Sequence, residues 1–318
     1  MSLLSKIKVQ YHFKVLNDFS ASNKFLDASN YISKINDNDI KFETAKNFIP
    51  QLFKNSNVGI DNPKIIWLNS FSYTSLELIE NFLSYYFKES VQKINPSFFS
   101  YEDLIDSVVG KNNFLERITL VEWINYSYFF QWLINDESSN FKFIKNKKSF
   151  FSTPENLNFT NSNFTNCFFC IVDHPYDVYL NIKKENGNDT EISKNLFLNL
   201  DKRPEIIQTS NRTFELTNLG WAVHTQSWLD DNVQNSLKGK ILNLKNLRDE
   251  PFDFFTDIIM HLIQNNNAIT LNYDVIENYV KNNDFVSSSN SFDNLSNNEK
   301  KFINQQIEDV SFKLGYEL

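Results

Sequence analysis

With 318 residues, 41% of them hydrophobic and 15% aromatic, including 31 Phe, the chain holds enough apolar material for a sizeable core, which excludes a disordered polymer. A net charge of −8 gives no overall attraction for nucleic acid or anionic lipid, because affinity for phosphate polymers needs clustered Lys and Arg; no nucleic-acid partner is expected. Two cysteines exclude a disulfide framework and leave too few thiols for a closed zinc site, so no metal is expected.

Residues 6–15 alternate, with Lys6, Lys8, Gln10, His12 and Lys14 on one face and Ile7, Val9, Tyr11, Phe13 and Val15 on the other. The alternation predicts a half-buried strand. A short helix is predicted over 23–35. Asp61-Asn62-Pro63 marks a boundary, so residues 1–60 read as an N-terminal strand-helix extension and 61–318 as the main domain. A strand left exposed in the extension could add to a sheet edge of a partner, a route to an oligomer. No run reaches the roughly 18 to 20 apolar residues of a membrane span, and no apolar segment follows the first lysines. A cytoplasmic chain without a membrane span is expected.

Four short runs, 64–68, 141–145, 167–172 and 240–244, are nearly apolar on both faces and suit central strands of a parallel sheet. Helical patterns lie at 75–88, 101–109, 114–135, 176–184, 192–199, 221–234, 251–264, 274–282 and 296–314. The fold class is therefore α/β, a central parallel sheet flanked by helices.

The segment 64–79 reads strand, short polar loop, amphipathic helix, an arrangement that lets a helix N-terminus hold an anion. Further on, Cys170-Ile-Val-Asp-His-Pro-Tyr-Asp-Val-Tyr-Leu-Asn181 resembles the Val-Arg-x-Pro-x-Asp-Val-x-x-Ser segment of the sulfotransferase family. Leu219-Gly-Trp-Ala-Val-His-Thr-Gln-Ser-Trp228 resembles that family's Gly-Ser-Trp-x-x-His-Val-x-x-Trp helix. Residues 240–251 resemble its strand ending Tyr-Glu-Asp-Leu, and 290–299 its late loop. The resemblance runs in order from about residue 60 to the C-terminus. It implies a P-loop-like parallel sheet that binds 3'-phosphoadenosine-5'-phosphosulfate and moves a sulfuryl group to an acceptor hydroxyl or amine.

Residue by residue, the resemblance implies a donor site stripped of positive charge. The family's Pro-Lys/Arg-Ser-Gly-Thr-Thr loop is replaced by Ser70-Phe71-Ser72-Tyr73-Thr74-Ser75, with neither cation nor glycine. Hydroxyls of Ser72, Thr74 and Ser75 remain as hydrogen-bonding groups, and Ser70 and Tyr73 are the other positions of the loop that the resemblance implicates in donor binding. Thr74 and Glu77 also have capping-box spacing, which predicts a helix end satisfied by its own side chains. Asp173 stands where the family's Arg would hold the 3'-phosphate, and Asn181 where its Ser would. Reversing one charge trades an attraction for a repulsion of about 1 to 4 kcal/mol each way. The best match to the family's catalytic base is Lys147, a poor base at neutral pH unless its environment lowers its pKa. Asp177 is expected to cap or brace its helix. His224 is expected to be structural, and Trp123, Phe129, Phe130 and Trp132 to form a packed stripe. Cys167 and Cys170, three apart on a strand, point to opposite faces and predict buried thiols, not a redox pair.

Two readings stay open. One is a sulfotransferase-like enzyme using 3'-phosphoadenosine-5'-phosphosulfate on an unknown acceptor. The other is a non-catalytic binding or assembly protein on the same scaffold, without cofactor, its cleft closed or turned to an uncharged ligand.

Overall fold

A computed structural model describes residues 3–21, 63–71, 73, 74, 76–90, 96–100, 141–146, 165–198, 205–208, 213–216, 220–266, 268–285 and 294–316, with 27, 28, 31, 32, 34–37, 39–41, 43, 44 and 48. Five parallel strands form the central sheet in the order β2-β3-β1-β4-β7, where β1 is Ile65–Ser70, β2 Ser97–Ser100, β3 Lys142–Asn146, β4 Thr165–Val172 and β7 Gly239–Asn243. Ile66 lies beside Phe143 of β3 and Cys167 of β4, and Cys170 beside Ile241 of β7. Two four-residue strands, β5 (Glu205–Gln208) and β6 (Thr213–Leu216), pair antiparallel away from this sheet. The four predicted strands thus exist; β2, β5 and β6 are additions.

Every residue of β1 and β4 is buried, as expected of parallel strands covered on both faces. Alternation then sends successive side chains into two separate cores. Trp67, Phe168 and Cys170 join one layer with residues of α3 (Pro175–Glu185), α4 (Thr190–Leu198), α5 (Trp221–Trp228), α6 (Asp231–Leu237) and α10 (Asn297–Leu314). Ile66, Cys167 and Phe169 join the other with α2 (Glu77–Glu89), α7 (Leu244–Asp249), α8 (Pro251–Asn265) and α9 (Tyr273–Asn282). Aromatic pairs fix the second layer: Phe82 stacks on Phe255 with centroids 4.1 Å apart, and Tyr279 meets both edge-on. Trp67 satisfies its buried indole by donating to the Thr165 hydroxyl at 3.0 Å.

The strand expected over 6–15 is instead part of a helix, α1 (Leu3–Ala21). Val9 and Leu16 are buried and Phe13 and Phe19 pack on the core, a set at helical spacing, whereas Ile7 and Tyr11 are exposed. Val9 and Phe13 satisfy both periods, and only the flanking Leu16 and Phe19 separate them. The sheet takes no strand from this segment, so the oligomer expected through an N-terminal strand has no strand to use. Leu16, Ala28, Ile32 and Phe48 share one apolar cluster with Trp67. The boundary expected near residue 60, and the helices expected at 101–109 and 114–135, fall outside the described residues.

The helix expected over 221–234 is two: Asp230 ends the first and caps α6, accepting from the N–H groups of Asn232 and Val233 at 2.9 and 3.2 Å. Among the described residues no helix is long and apolar enough to cross a membrane.

The register of α1 has a direct test. Leu16→Ala should lower stability by about 3 kcal/mol and Ile7→Ala by no more than about 0.5 kcal/mol, read from urea midpoints; equal losses would restore the alternating face.

Candidate functional site

At their carboxyl ends the central strands present polar residues: Asn69 and Ser70 on β1, Asn146 on β3, Asp173 just beyond β4 and Asn243 on β7. This carboxyl edge is where ligands sit in open α/β sheets. Asn146 donates its amide to the Asn69 side-chain oxygen at 3.0 Å. The Asn69 Nδ2, Ser70 Oγ and Thr74 Oγ1 atoms are buried without a hydrogen-bond partner. An unsatisfied buried donor costs about 1 to 3 kcal/mol, so three within six residues mark a place that a bound polar group would relieve.

The loop after β1 turns sharply. Phe71 is buried and meets the His224 ring edge-on with centroids 5.6 Å apart. Tyr73 adopts φ 75°, a left-handed conformation that a glycine takes freely and a bulky residue does not. The Thr74 N–H donates to the Phe71 carbonyl at 3.2 Å and the Leu76 N–H to the Thr74 carbonyl at 2.9 Å. Asn181, one turn from the end of α3, donates its amide to the Tyr73 carbonyl at 3.2 Å and so ties the loop to that helix. Burial, with the nearby Glu185 charge, pushes the Tyr73 phenol pKa up, and a hydrogen bond with Asn186 opposes this.

These turns displace the expected capping box. The N-cap of α2 is Leu76, with no side-chain cap, and the Thr74 hydroxyl meant to cap the helix is among the unpaired atoms. Spacing alone allowed the box; the left-handed Tyr73 redirects the chain, and the helix starts two residues later. Ser72, Ser75 and Lys147 lie outside the described residues, as do Lys148 and the aromatic stripe of Trp123, Phe129, Phe130 and Trp132.

Beside the loop, Asp173 is buried and bound. Arg248 of α7 donates to Asp173 at 2.9 Å and to Asp177 at 2.5 Å, a guanidinium fork across two carboxylates. The His174 N–H also donates to Asp173 at 2.9 Å. Burial raises the Asp173 carboxyl, Arg248 pulls it back and the Asp177 charge raises it again, leaving it at about 6. Burial opposes the Arg248 charge, but its two carboxylates raise its pKa on balance. Asp177 therefore braces α3 through an ion pair, while the cap is His174, whose Nδ1 accepts from the Tyr176 N–H at 3.2 Å. The His174 ring lies edge-on to Tyr176 and Tyr316, and burial lowers its pKa.

Tyr316 closes this corner. Gly315 ends α10 in the left-handed conformation, φ 69°, and the turn delivers Tyr316 into the core, its hydroxyl donating to Asn243 at 3.1 Å. α10 is held to α3 by Lys183 and Glu299 at 2.8 Å; burial would raise Glu299, but hydrogen bonds from Lys183 and Ser296 bring it down to about 2. Lys145, at the end of β3, is paired with Glu80 at 3.2 Å. Cys167 and Cys170 are buried on opposite faces, and burial raises both thiols, Cys170 to about 12.

The structure thus brings together Ser70, Tyr73, Thr74, Asp173 and Asn181 around one corner of the sheet. Sequence reasoning missed Arg248, Tyr316 and the Asn69–Asn146 bond. The signal for Arg248 was present: two aspartates four residues apart, Asp173 before the His174 cap and Asp177 in the first turn of α3, need a cation between them once both are buried.

No family model matches the chain, and no curated protein does. Among solved structures it is similar to retinol dehydratase in a complex with retinol and PAP, with 11% identity and a TM-score of 0.47, over 82% of this chain and 86% of that chain.

Arg248→Met should cost about 3 kcal/mol at pH 7, because it leaves two buried carboxylates without their cation. Asp173 titrates at about 6 when folded against 3.8 in a free side chain, so its stabilising contribution is complete below pH 4 and is lost as pH rises through 6. Asp173→Asn should accordingly cost about 2 kcal/mol more at pH 4 than at pH 7. Denaturation midpoints across that range check the sign; a cost that grows with pH would mean that the ion pair outweighs burial.

Proposed function

We propose that the protein is a non-catalytic binding protein on a sulfotransferase-like scaffold, carried by residues 61–318, whose cleft takes an uncharged polar ligand in place of 3'-phosphoadenosine-5'-phosphosulfate. The observation that carries this reading is Phe71. It belongs to the loop that resembles the family's Lys- or Arg-bearing loop, and it is buried against His224. An aromatic ring packed into the core offers no charge to a phosphosulfate and cannot be displaced from it without loss of burial.

The rest of the corner supports the same conclusion. Asp173, at the position of the resembled arginine, is occupied by Arg248, and the guanidinium is divided between two carboxylates. Lys145 is engaged with Glu80. The described residues of this corner therefore offer no free cation to a phosphosulfate or a 3'-phosphate, and no sulfuryl-transfer step is assigned to them. Among the described residues at this edge, the buried atoms without a partner are neutral: the Asn69 amide and the Ser70 and Thr74 hydroxyls. Such groups recognise carbonyl, hydroxyl or amide oxygens.

A thermal-shift titration with adenosine 3',5'-bisphosphate separates this reading from the enzymatic one. Ligand bound only to the folded state raises apparent stability, so a working donor site would give a saturable, salt-sensitive rise in Tm. The expected result is no shift at millimolar ligand. A rise that disappears in Asn181→Ala would return the protein to the enzymes.

A further inference from the structure

Helix α1 is apolar on two faces. One, through Val9, Phe13, Leu16 and Phe19, packs on the core. On the other, Leu3, Leu4, Ile7 and Tyr11 are exposed by 77, 63, 55 and 64%. At about 100° per residue these four fall on one arc over the first three turns. Lys6 and Lys8 border the arc on its two sides and Lys14 follows it, all exposed. Exposed large apolar residues elsewhere among the described residues, such as Ile192, Met260 and Phe312, are scattered along separate helices. Single residues of that kind are ordinary, whereas a contiguous patch indicates an interaction surface.

Charge identifies what covers the patch. None of the 39 Asp and Glu of the chain precedes Asp18, while three of its 31 Lys and Arg do. We propose that this face of α1 seats the protein on an anionic lipid surface. The helix lies in the headgroup plane, with Leu3, Leu4, Ile7 and Tyr11 at the acyl boundary and Lys6, Lys8 and Lys14 among the phosphates. Lysine stems reach along apolar surface to place their ammonium groups outward, and a tyrosine ring suits the interface. The net charge of −8 does not oppose this over the first two turns: at about 0.1 M salt the Debye length is about 10 Å, and Asp18, the first acidic residue of the helix, is about 15 Å or more along the axis from Lys6 and Lys8, though within that length of Lys14. A second copy fits the same face less well, since two such faces in contact bring the lysines of both together.

The inference is independent of the cleft and its ligand. Co-sedimentation of the full chain with vesicles tests it, using phosphatidylcholine alone or with one fifth phosphatidylserine. Each lysine near an anionic surface contributes about fivefold, so binding to the serine-containing vesicles should be stronger by on the order of a hundredfold, and should weaken as salt is raised. Leu4→Gln/Ile7→Gln, which changes exposed residues only, should keep Tm and circular dichroism and lose binding by about tenfold or more. Equal binding to both vesicles, no binding to either, or an unaffected double variant would overturn the proposal. So would a double variant that turns a dimer into a monomer with no vesicle binding in either form, which would assign the face to a second copy.

Discussion

Burial of the central strands on both faces governs the rest of this molecule. A parallel sheet sandwiched between helices has no wet side, so its polar residues collect where the strands stop. β1, β3 and β7 finish in asparagine or serine, and β4 runs into an aspartate. Between the two aromatic layers that seal the faces, the polar ends of four strands meet at the carboxyl edge. Chemistry at that edge follows from which of these groups find partners inside the protein.

Arg248 decides most of that. A single guanidinium serving Asp173 and Asp177 joins the end of β4, the first turn of α3 and α7 into one unit. A carboxylate that was read from sequence as a repellent for phosphate is in the structure a structural anion with its own counterion. A guanidinium divided between two carboxylates has little field left to offer a further anion. Tyr316 and His174 close over the same unit, so the C-terminal turn after α10 is part of the edge and not an appendage.

The parallel sheet was legible because its strands are short apolar runs bounded by Asn, Asp and Pro, and the helices because their caps are written locally, as in Ser296 and Glu299, which form a full capping box. α1 was misread because alternating residues that contain Val9 and Phe13 satisfy both periods; tertiary packing of Leu16 chose between them. The four-residue strands β5 and β6 contain too few residues to display a period at all. At the candidate site, positions were legible and states were not. Asp173 and Asn181 could be named from spacing, but the partner of the first lies 75 residues on and that of the second 108 residues back. A left-handed backbone at Tyr73 has no signature in a residue type that avoids it.

The placement of the cysteines has a further outcome. Cys167 and Cys170 are the whole thiol content of the chain, and β4 directs them into different apolar layers, out of reach of each other and of water. Neither ionises near neutrality. Both thiols therefore keep one covalent form whatever the surrounding glutathione balance, and give thiol-directed oxidants or alkylating reagents no foothold until the sheet itself comes apart.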